Sequence, residues 1–397
     1  MELKTIVLNK GKEQSPKRKH PWIFSGAINK IISDNGEAPA IGELVEVVDY
    51  KNNFLALGYF SDGTIAVRIV SFIKTAINQP FWNKKVQAAF DVRENLNLTN
   101  NASTNMYRLM HAEGDGVPGL IIDFYNGTAV IQAHSIGIYN ALDEIAEALK
   151  NTYGEQLTAI YNKSAESLAK QTNETVENEY IYKSEEPKLT GLEYDNTFNL
   201  DWINGQKTGF FLDQRENRKL IADFSNDKKV LNTFCYSGGF SVAALKAGAK
   251  EVHSVDSSQK AIDLTDANIE LNSLKNHQSF VSDTMDYLKS NTIDYDVIIL
   301  DPPAYAKSKK AKHNAIQGYK RLNALALKQI KPGGILFTFS CSQAVNRKLF
   351  YDTITAAAIE VGRNIRVLHH LSQPADHPVN IFHPEGEYLK GLVLFVE

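Results

Sequence analysis

Residues 230–256, VLNTFCYSGGFSVAALKAGAKEVHSVD, decide the fold. Val230, Leu231 and Phe234 form a short apolar run, Gly238 and Gly239 permit a tight turn, residues 242–247 resume with helical spacing, and Gly248 stops that helix. A second apolar run then ends in Asp256. Strand, glycine turn, helix and strand in this order make the ligand crevice of a doubly wound sheet, and an acid ending the second strand is placed to accept hydrogen bonds from ribose hydroxyls. The turn has Gly-Gly and lacks the G-x-G-x-x-G that cradles a pyrophosphate. A ligand with a ribose but no pyrophosphate fits, which points to S-adenosylmethionine.

The alternation continues downstream: a helix from Gln259 to Leu271, the strand HQSFVSD, a short helix MDYLKS, the strand YDVIILD, a helix over residues 318–329 and the strand GGILFTFSCS. This predicts a mostly parallel sheet whose strands end on one edge, carrying Asp256, Asp283, Asp301 and Cys341. Asp301-Pro302-Pro303 is a rigid polar turn able to grip a planar base, and Cys341 ends the neighbouring strand. An exposed thiol beside such a turn suits methylation of a pyrimidine carbon. Carbon 5 of cytosine is a poor nucleophile until a thiolate adds to carbon 6, and Asp301, if protonated or bridged at ring nitrogen 3, would steady the developing charge. The residues do not identify the base that removes the carbon 5 proton. Cys235 competes for the nucleophile's role, but its place at the mouth of the glycine turn suggests ligand packing. A target base must leave its stack to reach such a pocket, which suits a structured RNA loop.

Upstream, GQKTGFFLDQRENRKLIADF runs through a turn into a helix capped near Asp213. Phe210 and Phe211 fall where an adenosine or methionine end would rest, while Arg215 and Arg218 read as solvated helix charges. The hairpin GLEYDNTFNLDW precedes it, and residues 171–186, polar and acidic, read as a loop or hinge. Residues 1–74 show short β runs of a barrel or sandwich, with a basic loop, Lys17, Arg18, Lys19 and His20, as an RNA patch beside Trp22, which reads as a core residue. A second patch, Lys307, Lys309 and Lys310, follows the Asp-Pro-Pro turn. Residues 75–186 form an α+β unit in which Glu113, Asp115 and Asp123 read as turn formers, and 187–397 hold the glycine unit.

With 397 residues, 43% of them hydrophobic, the chain can support two or three cores. No apolar run spans a membrane and the first residues lack the apolar core of a secretory signal, so a cytoplasmic protein is expected. The net charge of -3 gives no global field for nucleic acid, leaving RNA binding to local patches. Two distant cysteines make neither a disulfide framework nor a zinc site. His369, His370, His377 and His383 follow no metal-ligand spacing, so no metal is expected.

The motifs KGKEQSPKRKHPWIFSGAI, EGDGVPGLIID, GQKTGFFLDQR, NTFCYSGGFSV, SVDSSQKAI, LDPPAYAKSK, GYKRLNALAL, TFSCS, ADHPV and PEGEYLKG span nearly the whole chain. Together they resemble the RlmI-like family of S-adenosylmethionine-dependent ribosomal RNA large-subunit methyltransferases. The resemblance implies a PUA domain, a central α+β domain and a Rossmann-like class I methyltransferase domain. It also implies cofactor contacts by Phe211, Asp213, Arg215, Tyr236, Ser237, Gly238, Gly239, Asp256, Ser257, Asp283 and Asp301, with Asp283 on the adenine amine and Cys341 as the nucleophile of a 5-methylcytosine enzyme. The implied partner is large-subunit ribosomal RNA, and a homodimer is compatible with it. Where relatives often carry Lys-Phe after Asp-Pro-Pro, this chain has Ala304-Tyr305, so base contacts there are not carried over. Two alternatives stand beside this reading: an RNA guanine or adenine N-methyltransferase with a structural Cys341, and a non-catalytic RNA-binding assembly factor.

Overall fold

A computed structural model of the chain describes residues 3–34, 36–172, 175–290, 294–306 and 311–397. The chain divides into two compact units. The first takes Met1–Leu189, Asp201–Phe210 and Ala375–Gly386; the second takes Thr190–Leu200, Phe211–Pro374 and Glu387–Glu397.

The first unit holds two sheets. One has six strands in the order Trp22–Phe24, Ile65–Ser71, Phe54–Phe60, Leu44–Val48, Thr5–Leu8 and Ile28–Ile32, closed over Ile6, Leu8, Val45, Val47, Val67 and Ile69. The other has five, in the order Glu179–Lys183, Ala159–Asn162, Thr128–Ala133, Leu120–Tyr125 and Met106–His111. The helices Gln79–Asn95 and Leu142–Tyr153 pack together and bury Trp82, Val86, Ile145 and Leu149 in its core. Asn78 caps the first of these helices by accepting from the Phe81 N–H, with Pro80 in the first turn where a missing N–H costs nothing.

Three sequence expectations change here. Part of the stretch read as a hinge is an edge strand: Glu179–Lys183 pairs with Ala159–Asn162, and the Tyr180 ring meets Tyr161 at 4.8 Å. The alternation of EYIYK outweighs its acidic flanks. Asp123 and Asp115 do more than form turns. Asp123 is fully buried within a strand, held by Arg108 Nε and Nη2 at 2.8 Å each, and Asp115 takes both arms of the fully buried Arg93 at 2.6 and 2.9 Å. Removing one member of such a pair strands a buried charge. Trp22 is half-buried, its indole N–H donating to Glu113 Oε1 at 2.9 Å, so Glu113 too has a partner beyond its turn.

The second unit is a seven-stranded sheet in the order His277–Val281, Glu251–Asp256, Lys229–Thr233, Tyr295–Leu300, Ile330–Ser340, Lys390–Val396 and Ile365–Ser372. The first five run parallel and the last two strands are antiparallel to their neighbours. Central parallel strands are covered on both faces, which is why VIIL is a continuous apolar run rather than an alternating one and why all of VLNT, Asn232 and Thr233 included, is buried. This is the Rossmann-like doubly wound sheet expected. The hairpin Thr190–Glu193 with Asn196–Asn199 turns through Tyr194 and Asp195, both at positive φ as a two-residue turn of this hand requires.

Candidate active site at the strand ends

The register fixes what meets at the sheet's edge. Thr233 pairs with Leu300, and Leu300 with Thr338, so Cys235, Asp301 and Cys341 follow the ends of three adjacent strands. Asp256 ends the strand on the far side of Lys229–Thr233.

The turn after Lys229–Thr233 is tightly wound. Phe234 and Tyr236 have φ of 54° and 48°, and Gly238 has φ of 70° before the Gly239–Lys246 helix begins. A Cβ on Gly238 would come within 2.6 Å of Thr265, and one on Gly239 within 2.7 Å of the Arg218 stem. The glycines are therefore required by packing from within the protein. The Tyr236 backbone N–H donates to Asp256 Oδ2 at 3.1 Å, and the Ser258 N–H to Oδ1 at 3.0 Å. Two backbone donors thus hold the carboxylate in one orientation, leaving it further acceptor capacity for vicinal hydroxyls. Ser257, beside it, is exposed, and Ser237, within the turn, is buried.

A second layer comes from the segment before the Arg215–Ala222 helix. Phe211 meets the Tyr236 ring edge to face at 5.0 Å. Arg218, read from sequence as solvated, is 4% exposed and grips Glu193 with two bonds of 2.6 Å, while its Nη1 donates to the Phe211 carbonyl at 3.0 Å. That clamp ties the hairpin to the Phe211 backbone. Arg215 is likewise buried, its Nε against Glu216 at 3.2 Å, and Asp213 accepts from the Tyr388 hydroxyl at 2.9 Å. Both arginines lie inside because their partners come from other parts of the chain or from the adjacent residue, and helical spacing does not reveal this.

Gln214, which sequence reading passed over within LDQR, is 4% exposed and donates to Asp301 Oδ2 at 3.0 Å, its own carbonyl accepting from Asn217 at 2.6 Å. It fixes the direction of the Asp301 carboxylate. Asp283 is exposed and caps the Thr284–Ser290 helix, its Oδ1 accepting from Met285 N and Asp286 N. Tyr305 packs its ring on Tyr319 at 4.7 Å, and burial pushes its phenol up to about 12.

The two thiols differ. Cys235 is 6% exposed, its Sγ 3.5 Å from Thr265 Oγ1, and burial pushes it up to about 12. Cys341 is half-exposed. Its neighbours hold the turn: the Ser342 hydroxyl donates to the Ala306 carbonyl at 2.7 Å, and the Lys390 ammonium to the Ser342 carbonyl at 2.6 Å.

In the first unit, Lys17, Arg18 and Lys19 are exposed and His20 half-buried. Lys307, Lys309 and Lys310 lie outside the described residues. His369 and His370 lie in the edge strand Ile365–Ser372, and His377 is buried beside Asp376. Among the described residues, one group has donors close enough for a metal: His20, His383 and Glu385 within 4.8 Å of one another, a proximity their sequence positions do not disclose.

The sequence profile described as S-adenosylmethionine-dependent methyltransferase matches residues 108–382, and a PUA-like domain matches residues 6–72. Proteins named ribosomal RNA large subunit methyltransferase I are similar along their whole length: that of Photobacterium profundum is 38% identical, covering 99% of each chain, and that of Aeromonas hydrophila 39%, covering 98% of each. The chain belongs to the ribosomal RNA large subunit methyltransferase I family of S-adenosylmethionine-dependent enzymes. A solved Streptococcus mutans chain described as a SAM-dependent methyltransferase superposes with a TM-score of 0.83 at 26% identity, covering 98% of this chain and 99% of that one. A methyltransferase complexed with SAH gives 0.84 at 26% identity over the same shares. S-adenosylmethionine is the cofactor of this methyltransferase family, and the oriented Asp256 carboxylate beside a wound glycine turn fits its ribose.

Proposed function

We propose that the protein methylates carbon 5 of a cytosine in large-subunit ribosomal RNA through a covalent adduct on Cys341. The name shared by its relatives supports ribosomal RNA as substrate. The observation that carries the carbon 5 chemistry is the contrast between a half-exposed Cys341 beside the Asp301 strand and a buried Cys235.

In this reading Asp256, Phe211, Asp213, Arg215 and the turn Tyr236–Gly239, with Ser257 and Asp283, hold the cofactor, which supplies an electrophilic methyl group when bound. Cys341 as thiolate bonds to carbon 6, and the π pair between carbons 5 and 6 moves to make carbon 5 nucleophilic. Asp301, steered by Gln214, carries the proton shared with ring nitrogen 3, and donating it offsets the negative charge that thiolate addition develops there. Once carbon 5 carries its methyl group, loss of its proton to a base returns the pair and breaks the carbon–sulfur bond, freeing the thiolate. Residues 1–74 serve as the RNA-binding module through Lys17, Arg18, Lys19 and His20, residues 75–186 as the middle domain and 187–397 as the catalytic domain. Among the described residues no helix is long and apolar enough to cross a membrane, in keeping with action on ribosomal RNA in the cytoplasm.

Substrate RNA carrying 5-fluorocytidine tests the adduct, because fluorine cannot leave as a proton does and the carbon–sulfur bond persists. Wild type with cofactor is expected to give a denaturation-resistant protein–RNA complex, and Cys341→Ala none. A complex formed equally by the alanine variant would overturn the role of Cys341.

A further inference from the structure

Lys390 opens the strand Lys390–Val396 and pairs in register with Ser340, the residue before Cys341. It is 4% exposed. Its ammonium donates to the Ser342 carbonyl at 2.6 Å and the Tyr388 carbonyl at 2.8 Å, and among the described residues it forms no ion pair. A buried lysine without a carboxylate partner is rare, since two carbonyl dipoles offset only part of the desolvation of a full charge. The position is costly unless an anion develops nearby. Cys341 is the titratable nucleophile at this turn, flanked on both sides by residues that Lys390 touches or pairs with.

We propose that Lys390 is the positioning residue and counter-charge of Cys341: its ammonium fixes the Ser340–Ser342 turn through the Ser342 carbonyl and stabilises the Cys341 thiolate. The proposal rests on the reading of Cys341 as nucleophile. Electrostatics agree with the geometry. Burial brings Lys390 down to about 8, and the negative charges of Cys341 and then Glu387 oppose that fall, while Arg347 adds to it. The attraction between two opposite charges is mutual, so the Lys390 ammonium favours the charged form of Cys341. The other groups facing the pair limit the effect without cancelling it. Arg347 and Glu387 are bound to each other at 2.7 Å, and the phenol of Tyr319, which lies within electrostatic reach of Cys341 and Asp301, is held neutral by burial, at about 12. The arrangement also serves turnover. A thiolate stabilised by a fixed ammonium is the better leaving group when the carbon–sulfur bond breaks.

The test is the rate at which iodoacetamide modifies Cys341, followed by mass spectrometry of its peptide from pH 5.5 to 10, in wild type, Lys390→Met and Lys390→Arg. Methionine keeps the stem's packing without charge, and arginine restores the charge. The proposal expects a wild-type midpoint below the ordinary thiol value of about 8.5, a rise of at least about one pH unit in the methionine variant, and recovery of at least half that rise in the arginine variant. A wild-type midpoint at or above the ordinary value overturns it, and this result needs no variant to fold. An unshifted Lys390→Met profile in protein that still binds cofactor also overturns it. Because alkylation needs no RNA, these outcomes are separable from the identity of the nucleophile: a Cys341→Ala enzyme that still methylates RNA ends the larger reading whatever the profile shows.

Discussion

Cys235 and Cys341 follow the C-terminal ends of two strands separated only by Tyr295–Leu300, yet the protein surrounds them differently. Cys235 sits within a wound turn, between Phe234 and Tyr236 at positive φ and against Thr265, with its proton held to about 12 by burial. Cys341 is half-exposed after its strand end, and a buried ammonium is anchored to the carbonyl of the residue that follows it. The same residue type at equivalent places on one sheet becomes packing in one case and a candidate nucleophile in the other. What decides is the charge and exposure of the surroundings, supplied by residues far away in the chain.

The largest expected effect breaks or upholds this contrast directly. At pH 8 a thiol near 12 is about one part in ten thousand ionised. Iodoacetamide should therefore modify Cys341 at least about a thousandfold faster than Cys235 in native protein, as counted by peptide mass spectrometry. Comparable rates would mean that the glycine turn opens and that the two strand ends are not differently built. Denaturant should abolish the difference.

A smaller effect sharpens the contrast by loosening the Cys235 end alone. Arg218→Met removes one member of the buried pair with Glu193 and should cost about 3–5 kcal/mol of stability, measured by urea unfolding. Glu193→Gln added to it should restore part of that loss, because the stranded carboxylate disappears. In the folded fraction, Cys341 alkylation should be unchanged.

Smaller again, Asp256→Ala should weaken binding of S-adenosylmethionine by roughly ten- to a hundredfold in calorimetry, the range expected for losing charge-assisted hydrogen bonds to ribose hydroxyls. The reactivity of Cys341 should stay as it was. Unchanged affinity would show that Asp256 only braces Tyr236 and Ser258.

The five parallel strands, their ends and the order of the elements joining them were legible because each depends on local pattern: a continuous apolar run for VIIL, Gly-Gly for the turn, an acid closing HSVD; the two antiparallel strands Ile365–Ser372 and Lys390–Val396 were not read. Nor were the supports of the site. Gln214 reaches Asp301 across 87 positions, Lys390 reaches Ser342 across 48, and Arg218 reaches Glu193 across 25. None of these pairs shares an element, so no periodicity joins them, and Arg218 on a polar helix looks solvated until the hairpin is folded beside it. Glu179–Lys183 was hidden for a related reason. Its acidic flanks resemble a loop, and only pairing with Ala159–Asn162 makes it a strand.

We propose 5-methylcytosine as the product and Cys341 as the nucleophile. Ribosomal RNA lacking the modification, incubated with labelled S-adenosylmethionine and either wild type or Cys341→Ala, then digested to nucleosides, tests it most directly. Labelled 5-methylcytidine is expected from wild type and none from the variant, which still binds cofactor. A label on a ring or exocyclic nitrogen, or full activity without the thiol, would contradict it.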